Sequence, residues 1–249
     1  MPNPWDAGSA RVLASLGFEA LATTSSGFAA TLGRPDGSVT RDEAIDHAAA
    51  VARATPLPVS ADLENGFADD PDEVAVTVSA AVRAGLAGCS IEDFTRRGDD
   101  PVYEREFAAQ RVAAAAAAAH AGPRLVLTAR AENYLHGRDD LADTIARLQQ
   151  YGEAGADVLY APGLTRSGDI AEVVRSVGKP VNVLALAGAP TVAELADLGV
   201  ARISVGGAFA YAALGALVGA ATELRDAGTY GYLRASAVGR EAAAAAFQV

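Results

Sequence analysis

The 249-residue chain is poor in several residue types that mark particular classes of protein. It has a single cysteine, Cys89, which excludes an intrachain disulfide framework and a multi-cysteine metal site, and which favours a reducing compartment such as the cytoplasm. Its three histidines, His47, His120 and His136, have no second histidine three or four residues away. A helical zinc motif of that spacing is therefore excluded.

Positive charge and long apolar runs are also scarce. The 20 Lys and Arg residues are outnumbered by 31 Asp and Glu residues, and the formal net charge is -11. An acidic chain without a basic stripe is a poor match for phosphate backbones, so we expect no nucleic-acid partner. The two most apolar tracts, residues 112–121 and 206–222, are too short and too rich in Ala and Gly to predict a membrane span, and no secretory signal pattern opens the chain.

Helix patterns alternate with short apolar strand patterns, which is typical of βα units around a parallel sheet. Seven strands are predicted, and segment 2–6 is interpreted as the remainder of an eighth. This number of strands predicts an α/β fold of the (β/α)₈ TIM-barrel type. We expect one domain, with the barrel over residues 1–206. An open Rossmann-like sheet is the alternative, but no G-x-G-x-x-G motif follows the early strands. The seven predicted strands lie at residues 18–24, 57–62, 88–93, 124–130, 157–161, 180–186 and 201–205.

The predicted helices have recognisable starts. Thr40 and Glu43 form a capping box, and Asp70 precedes a proline at the first helical position. Residues 24–28, after the first strand, are rich in Ser and predict a loop. The Ala-rich helices over residues 207–249 exceed what one barrel unit needs, so we expect them to mediate a homodimer or homotetramer.

Charged side chains follow three consecutive predicted strands at their C-terminal ends, which meet at one face of a barrel. Carboxylates crowded there repel one another, which raises their pKa values unless they share a cation. A hard divalent ion such as Mg²⁺ would relieve the repulsion. The alternative is an ion-pair ring in which Arg130 neutralises the acids. The charged set is Asp62, Glu64, Glu92, Asp93, Arg130 and Glu132.

Other candidates lie near the same strand ends. Ser26, Gly27 and Phe28 follow the first strand, where a glycine would let backbone N–H groups approach a ligand oxygen. Such a segment is more often an ordinary loop. Asp36 lies in a Pro-Asp-Gly sequence and is most simply a turn residue. Tyr160 ends its strand and points either to the barrel mouth or to the core.

Together these residues resemble the isocitrate lyase and phosphoenolpyruvate mutase superfamily. The two most specific matches are Asp-Leu-Glu-Asn-Gly-Phe at residues 62–67 and Gly-Cys-Ser-Ile-Glu-Asp at residues 88–93. The similarity extends from Asn3 to Gly207. It implies a Mg²⁺-dependent barrel, commonly a tetramer with a C-terminal helix swapped between neighbours, that makes or breaks a C–C or P–C bond next to a 2-oxo acid.

Residue by residue, the resemblance assigns metal binding to Asp62 and Glu92, mostly through water, with Glu64 as an addition and Mn²⁺ as an alternative to Mg²⁺. It places Arg130 on the substrate, and Asp36 where the family keeps an active-site aspartate. These groups would stabilise a pyruvate-type enolate formed when the neighbouring bond breaks. The remaining implied substrate contacts are Ser26, Gly27, Phe28 and, in place of a mutase histidine, Tyr160.

The loop after Glu92 departs from the family pattern. Lyases of this superfamily carry Lys-Lys-Cys-Gly there, and the mutase and hydrolase branch a lysine and an asparagine, whereas residues 94–100 read Phe-Thr-Arg-Arg-Gly-Asp-Asp. Arg96 or Arg97 could supply charge in their place. His136, in the loop after the fourth strand, could approach the barrel mouth, although a surface position is the favoured expectation.

The resulting hypothesis is an enzyme that cleaves a C–C bond of a 2-oxo acid or related dicarboxylate, as a lyase or a decarboxylase. Hydrolysis or mutation of a phosphonate is an alternative on the same fold. A third possibility, from another class, is a metabolite-binding protein that kept the pocket and lost the acid needed for turnover.

Overall fold

The computed structural model describes residues 1–98 and 101–247, so Asp99 and Asp100 of the loop after the third strand lie outside the described residues. The described residues contain a sheet of seven strands in the order β1 to β7. Each strand pairs in parallel with its neighbours in sequence, which confirms the predicted α/β barrel architecture. The strands are β1 (Leu21–Ala22), β2 (Val59–Asp62), β3 (Gly88–Glu92), β4 (Val126–Arg130), β5 (Val158–Tyr160), β6 (Val181–Leu184) and β7 (Arg202–Ser204).

The first residues of the chain bridge the gap between β7 and β1. The amine of Met1 donates to the carbonyl oxygen of Ile203 at 2.8 Å. On the other side, the N–H of Ala22 donates to the carbonyl oxygen of Pro2 at 3.1 Å. This segment therefore takes the place of an eighth strand without forming a regular ladder.

Helices lie between the strands and after the last one. The predicted capping box is present, because Oγ1 of Thr40 accepts from the Glu43 N–H at 3.3 Å and the Glu43 carboxylate accepts from the Thr40 N–H at 2.9 Å. A single 3₁₀ turn, Asn133–His136, follows β4. The helices are α1 (Ala7–Ser15), α2 (Ser25–Thr31), α3 (Arg41–Arg53), α4 (Pro71–Arg83), α5 (Arg105–His120), α6 (Leu141–Glu153), α7 (Ser167–Ser176), α8 (Val192–Asp197), α9 (Ala208–Asp226) and α10 (Leu233–Ala246).

Helix α2 corrects the loop that was predicted after β1. Thr24 caps this helix, because its Oγ1 accepts from the N–H of Gly27 at 3.3 Å. Gly27 is packed so closely that a Cβ atom there would lie 3.2 Å from Trp5 and 3.3 Å from Ala210. The cap and this packing outweigh the low helix propensity of Ser-Ser-Gly.

The strand register places the site-forming residues in one layer across the sheet. Arg130 lies opposite Glu92 on one side and opposite Tyr160 on the other. The layer continues through Asn182 to Arg202. It lies at the C-terminal ends of the strands, which is the end of a barrel that carries active sites.

Helices α9 and α10 leave most of their apolar side chains uncovered. Ala210 is the one buried residue of α9, and no residue of α10 is buried. Leu217, Val218 and Val238 are 63%, 64% and 66% exposed. Across residues 1–98 and 101–247, no helix combines the length and the hydropathy needed to cross a membrane.

Candidate active site

A cavity of about 270 Å³ opens at the C-terminal ends of the strands. Every strand contributes to its wall, and Glu64 lies directly beside it. Negative charge is concentrated on the side formed by β2, β3 and β4. The charged or titratable groups that line the cavity are Asp36, Asp62, Glu92, Arg96, Arg130, Glu132, His136, Tyr160, Arg202 and the N-terminal amine of Met1.

Two of the predicted metal ligands share one guanidinium group. Nη1 of Arg130 lies 3.2 Å from Oδ1 of Asp62 and 3.2 Å from Oε2 of Glu92, so carboxylates from two strands are brought together. The other oxygen of Asp62 accepts from the Ser25 N–H at the start of α2, at 3.0 Å. Burial raises the pKa of Glu92 well above its usual value, although Arg130 opposes the shift.

Glu64 lies next to this pair and is only 5% exposed. Its Oε2 atom is 3.2 Å from Arg96, whereas Oε1 is buried with no hydrogen-bond partner among the described residues. Burial raises the pKa of Glu64 to about 7, against the opposing charge of Arg96. A buried carboxyl group with one unsatisfied oxygen is suited to accept a proton or a cation.

Arg96 is a site residue whose position the sequence left open. Its Nη2 atom lies 3.2 Å from Glu64, 3.8 Å from Asp36 and 4.0 Å from Glu92. Its backbone is left-handed, with φ 59°, which turns the loop after β3 back over the strand ends. Arg96 thereby brings positive charge to the carboxylates that the resemblance assigns to a metal.

Arg130 is enclosed by partners. Its Nε and Nη2 atoms lie 2.9 and 2.8 Å from Oε1 of Glu132, and its guanidinium carbon is 5.2 Å from the centre of the Tyr160 ring. Burial alone would lower the pKa of Arg130, but the carboxylates of Glu132 and Glu92 raise it well above its usual value. Tyr160 itself lines the cavity, and burial raises its pKa to about 12. The ion-pair ring that the sequence offered as an alternative is therefore present.

The predicted loop residues Asp36 and His136 both reach the cavity. Asp36 is exposed at the rim, 3.8 Å from Arg96. For His136 a surface position was favoured over the mouth, but its ring stacks on Phe94 with 3.7 Å between centroids, and its Nε2 lies 3.8 Å from Glu132. The 3₁₀ turn after β4 folds this ring back over the strand end, which residue order alone does not show.

Asp93 was expected at the mouth and instead faces the helix layer. Its Oδ2 accepts from the hydroxyl of Tyr151 at 2.5 Å and from Arg147 at 3.1 Å, and its Oδ1 accepts from the Glu132 N–H at 2.8 Å. Consecutive strand residues point to opposite faces, so the direction of Glu92 into the cavity turns Asp93 away from it. Asp93 therefore anchors the loop after β4 to helix α6.

Of the sequence Ser26-Gly27-Phe28, only Ser26 is a cavity residue. The N–H of Gly27 donates to Oγ1 of Thr24, and the N–H of Phe28 donates to the Thr24 carbonyl at 3.0 Å. Both donors that were expected to hold a ligand are therefore used inside α2. The ring of Phe28 stacks on His47, with 3.8 Å between centroids.

The side of the cavity formed by β5, β6 and β7 is built from neutral polar groups and Arg202, with the Met1 amine bound beside it to the carbonyl oxygen of Ile203. Nδ2 of Asn182 donates to Oγ of Ser204 at 3.0 Å, and Oδ1 of Asn182 accepts from Nε of Arg202 at 2.8 Å. Nη2 of Arg202 donates to Oγ1 of Thr128 at 2.9 Å. Sequence reasoning did not single out these residues, because they lie inside ordinary strand patterns without a motif.

Comparison with known proteins identifies the family to which the chain belongs. The family model for phosphoenolpyruvate phosphomutase matches residues 1–225, which is most of the chain. The chain belongs to the PEP mutase family. It is therefore an enzyme of the lyase and mutase type found in the isocitrate lyase and PEP mutase superfamily.

Relatives within the family cover most of the chain. A Burkholderia cenocepacia J2315 structure, described provisionally as a lyase/mutase, is 57% identical with a TM-score of 0.94 and covers 97% of this chain and 88% of that one. An oxaloacetate decarboxylase from Pseudomonas fluorescens is 32% identical over 83% of this chain and 73% of its own. The structure of a 2,3-dimethylmalate lyase is 28% identical with a TM-score of 0.84 and covers 92% of this chain and 83% of that one.

The carboxylate side of this PEP mutase family cavity suits a hard divalent cation. Among the described residues, no three His, Cys, Asp or Glu side chains enclose a metal ion directly. Mg²⁺ commonly binds one or two carboxylates and keeps several waters, so it does not need such a cage. The unsatisfied oxygen of Glu64 and the excess of carboxyl groups over guanidinium groups both favour a further cation. The carboxyl groups are those of Asp36, Asp62, Glu64, Glu92 and Glu132, and the guanidinium groups beside them are those of Arg96 and Arg130.

Proposed function

We propose that this chain is a Mg²⁺-dependent enzyme that cleaves a C–C bond of a 2-oxo acid or a related dicarboxylate. The observation that carries the proposal is the shared contact of Asp62 and Glu92 with Arg130, at the mouth of a cavity with an excess of carboxyl groups. Relatives named for C–C chemistry, an oxaloacetate decarboxylase and a 2,3-dimethylmalate lyase, support the reaction class. Mn²⁺ is the alternative metal.

In this proposal Asp62 and Glu92 hold the metal, largely through water, and Glu64 adds a third carboxyl group. The bound ion would supply positive charge where a pyruvate-type enolate oxygen develops. Arg130 would bind the substrate carboxylate, in a buried setting where such ion pairs are strong. The hydroxyl of Ser26 lines the same cavity and would donate to the substrate.

Proton transfer in this proposal falls to groups whose pKa suits neutral pH. In the metal-free protein, burial raises the pKa of Glu64 to about 7, so its carboxyl group could exchange a proton with the substrate only while it is not bound to the metal. Tyr160, with a pKa raised to about 12, stays protonated and would act as a hydrogen-bond donor. Asp36 would be a further catalytic carboxylate, at the rim of the cavity. Together they would replace the cysteine acid that lyases of this superfamily carry on the loop after β3.

Turnover of a small substrate panel separates the candidate reactions. Oxaloacetate, 2-methylisocitrate, 2,3-dimethylmalate and phosphonopyruvate each yield pyruvate when cleaved, so one coupled assay of pyruvate release covers all four. We expect Mg²⁺-dependent release from one C–C substrate. Release of pyruvate from phosphonopyruvate alone, or its conversion to phosphoenolpyruvate, would point to P–C chemistry. Silence across the panel, with no phosphoenolpyruvate formed and oxalate still bound, would point to a binding protein.

We also propose that the chain is a cytoplasmic homo-oligomer, a dimer or a tetramer, assembled through α9 and α10. The exposed side chains of Leu217 and Val218 support this, since a partner copy would cover them. Light scattering coupled to gel filtration should give a multiple of the 25.2 kDa chain mass. Replacing both residues with Glu should shift the mass toward one chain, and a monomeric wild-type protein would overturn the proposal.

A further inference from the structure

Arg111, on helix α5, is a buried cation that the proposed chemistry does not use, and it is 1% exposed. Its guanidinium group donates to four backbone carbonyl oxygens. Nε donates to Asp69 at 3.0 Å and Nη1 to Glu92 at 3.3 Å. Nη2 donates to Ala68 at 2.7 Å and also to Asn65. Carbonyl oxygens belong to the main chain, so these bonds fix backbone positions rather than side chains.

Three of the four carbonyl oxygens belong to one turn. Residues 63–69, called the β2 turn from here on, follow β2 and contain Glu64. The backbone of this turn is left-handed at Glu64, Gly66 and Phe67, with φ values of 49°, 80° and 59°. Only glycine adopts that conformation at little cost. A turn with two disfavoured residues needs contacts from outside to hold it, and Arg111 supplies three of them.

The fourth carbonyl oxygen links the β2 turn to the next strand. The N–H of Glu92 donates to the carbonyl oxygen of Glu64 at 2.9 Å, and the carbonyl oxygen of Glu92 accepts from Arg111. The two acid-bearing strand ends are therefore joined to each other and to one guanidinium group. Arg130 contacts carboxylates of both strand ends from inside the cavity, whereas Arg111 holds the main chain from the helix layer.

Tyr103 keeps this guanidinium group in place. The guanidinium carbon of Arg111 lies over the Tyr103 ring, 4.1 Å from the ring centre. The Tyr103 hydroxyl donates to the carboxylate of Asp69, the last residue of the β2 turn. A guanidinium group that packs on a ring and donates through a fork keeps a fixed orientation, which a flexible ammonium group does not. The donors of Arg111 are therefore held toward the β2 turn.

We propose that Arg111 is a positioning residue for the cation site. By holding the β2 turn and the end of β3, it keeps the carboxyl groups of Glu64 and Glu92 directed at the cavity. This inference rests on the proposed function, in which both groups hold the metal. If the β2 turn relaxed at Glu64, its carboxyl group would leave the cavity and the affinity for a cation would fall.

Two measurements on Arg111→Lys test the proposal. This variant keeps the buried charge but loses the fork of donors, so it cannot satisfy four carbonyl oxygens at once. Hydrogen–deuterium exchange of a peptide covering residues 63–69, with a chelator present, reports on the β2 turn. Calorimetric titration with MgCl₂ reports on the cation site. We expect exchange of this peptide to be faster by about tenfold or more, and the Mg²⁺ affinity to fall by about tenfold.

Arg147→Lys is the matched control. Arg147 is also buried in the helix layer. Its hydrogen bonds go to Asp93, Asp143 and Tyr103, none of which belongs to the β2 turn. This variant should lose stability to urea as Arg111→Lys does, but its exchange over residues 63–69 and its Mg²⁺ affinity should stay within about twofold of wild type. Equal effects of the two variants would overturn the proposal, because a merely structural arginine would produce them.

Unchanged exchange in Arg111→Lys, or faster exchange with unchanged Mg²⁺ affinity, would also overturn it. If Arg111→Lys fails to fold by circular dichroism, Tyr103→Leu decides. That variant leaves the charge in place but removes the ring and the hydroxyl bond to Asp69, so it should produce the same two changes, and their absence would overturn the proposal. Failure of the proposed function looks different, because wild-type protein would then not bind Mg²⁺ at all, whereas exchange of the β2 turn would still respond to Arg111→Lys.

Discussion

The two sides of the barrel mouth differ in charge, with buried carboxyl groups on one side and a guanidinium group on the other. On the side of β2, β3 and β4, burial raises the pKa values of Glu64, Glu92 and Glu132, and two arginines only partly offset the negative charge. On the side of β5, β6 and β7, Arg202 donates to two neutral oxygens and has no carboxylate partner among the described residues. The two sides therefore differ in the sign of their charge.

This asymmetry separates two tasks that a C–C-cleaving enzyme must perform. Charge that develops on the enolate oxygen is best stabilised by a cation at a fixed position, and the substrate's carboxylates need partners of their own. Strand order brings both within one layer, because neighbouring parallel strands present equivalent positions at the same edge. The following predictions test the carboxylate side, from the largest expected effect to the smallest.

Replacement of Arg130 should have the largest effect on stability and on turnover. Arg130→Met leaves the carboxylates of Asp62, Glu92 and Glu132 without their shared buried partner, so we expect a loss of about 3–5 kcal/mol in the free energy of unfolding and loss of turnover. Urea unfolding measures the stability. Arg166→Met is the control, because Arg166 pairs with one acid in solvent, and such pairs contribute about 1 kcal/mol or less. Equal effects for the two variants would contradict this account.

Glu64 should make the metal-free protein less stable as the pH rises. Its pKa is raised from 4.5 in the unfolded chain to about 7 by burial, so the folded state binds the proton more tightly. The stabilising contribution is complete below pH 4.5 and is lost as the pH rises through about 7, on the order of 1–3 kcal/mol. Glu64→Gln should flatten this dependence.

Urea unfolding at pH 5 and pH 7.5, with a chelator present, measures the difference. The exposed Glu106→Gln variant serves as the matched control and should follow the wild-type profile. If the free energy of unfolding changes equally between pH 5 and pH 7.5 in wild-type protein and in Glu64→Gln, then Glu64 is solvated. The carboxylate side would then lack the proton-binding group described above.

Asp62 should control the response to metal. Asp62→Asn removes one negative charge at the proposed cation site and should weaken Mg²⁺ binding by about tenfold or more, with the secondary structure intact. Calorimetric titration with MgCl₂ gives the affinity, and circular dichroism gives the fold. Asp42→Asn, an exposed change on α3, is the control. An unchanged Mg²⁺ affinity would show that Asp62 serves only to position Arg130 and α2.

Replacement of Arg96 should change the Mg²⁺ affinity less than replacement of Asp62, and in the opposite direction. Its guanidinium group competes for Glu64 and Glu92, so Arg96→Gln should tighten Mg²⁺ binding by roughly threefold to tenfold. Arg97→Gln is the control on the same loop, because Arg97 is 64% exposed and pairs with Asp69 outside this cluster. Weaker Mg²⁺ binding in Arg96→Gln would mean that Arg96 supports the cation site rather than competing for it.

Hydrophobic pattern was enough to predict the seven strands and the barrel class, because a buried parallel sheet leaves a strong periodic signal. It also predicted that Asp62, Glu92 and Arg130 would meet, since strand ends converge. It was wrong about Asp93, because a shift of one residue along a strand reverses the side-chain direction. Helix α2 was missed because its stability comes from the Thr24 cap and from packing of Gly27, which only the folded chain supplies.

Several polar residues of the cavity wall had no sequence signal. Arg202, Asn182 and Ser204 belong to no recognisable motif, and their significance appears only when the register places them on one wall of the cavity. The loop that carries Arg96 bends through a left-handed backbone conformation, which a non-glycine residue rarely adopts and a sequence pattern does not predict.

Binding of oxalate to wild-type protein, measured by isothermal titration calorimetry with and without Mg²⁺, tests the central claim most directly. Oxalate mimics the pyruvate enolate, so it should bind at the junction of the metal and Arg130. We predict binding that is tighter with Mg²⁺ by at least about tenfold. Oxalate that fails to bind, or that binds equally with and without Mg²⁺, would contradict the proposed cation-dependent enolate site.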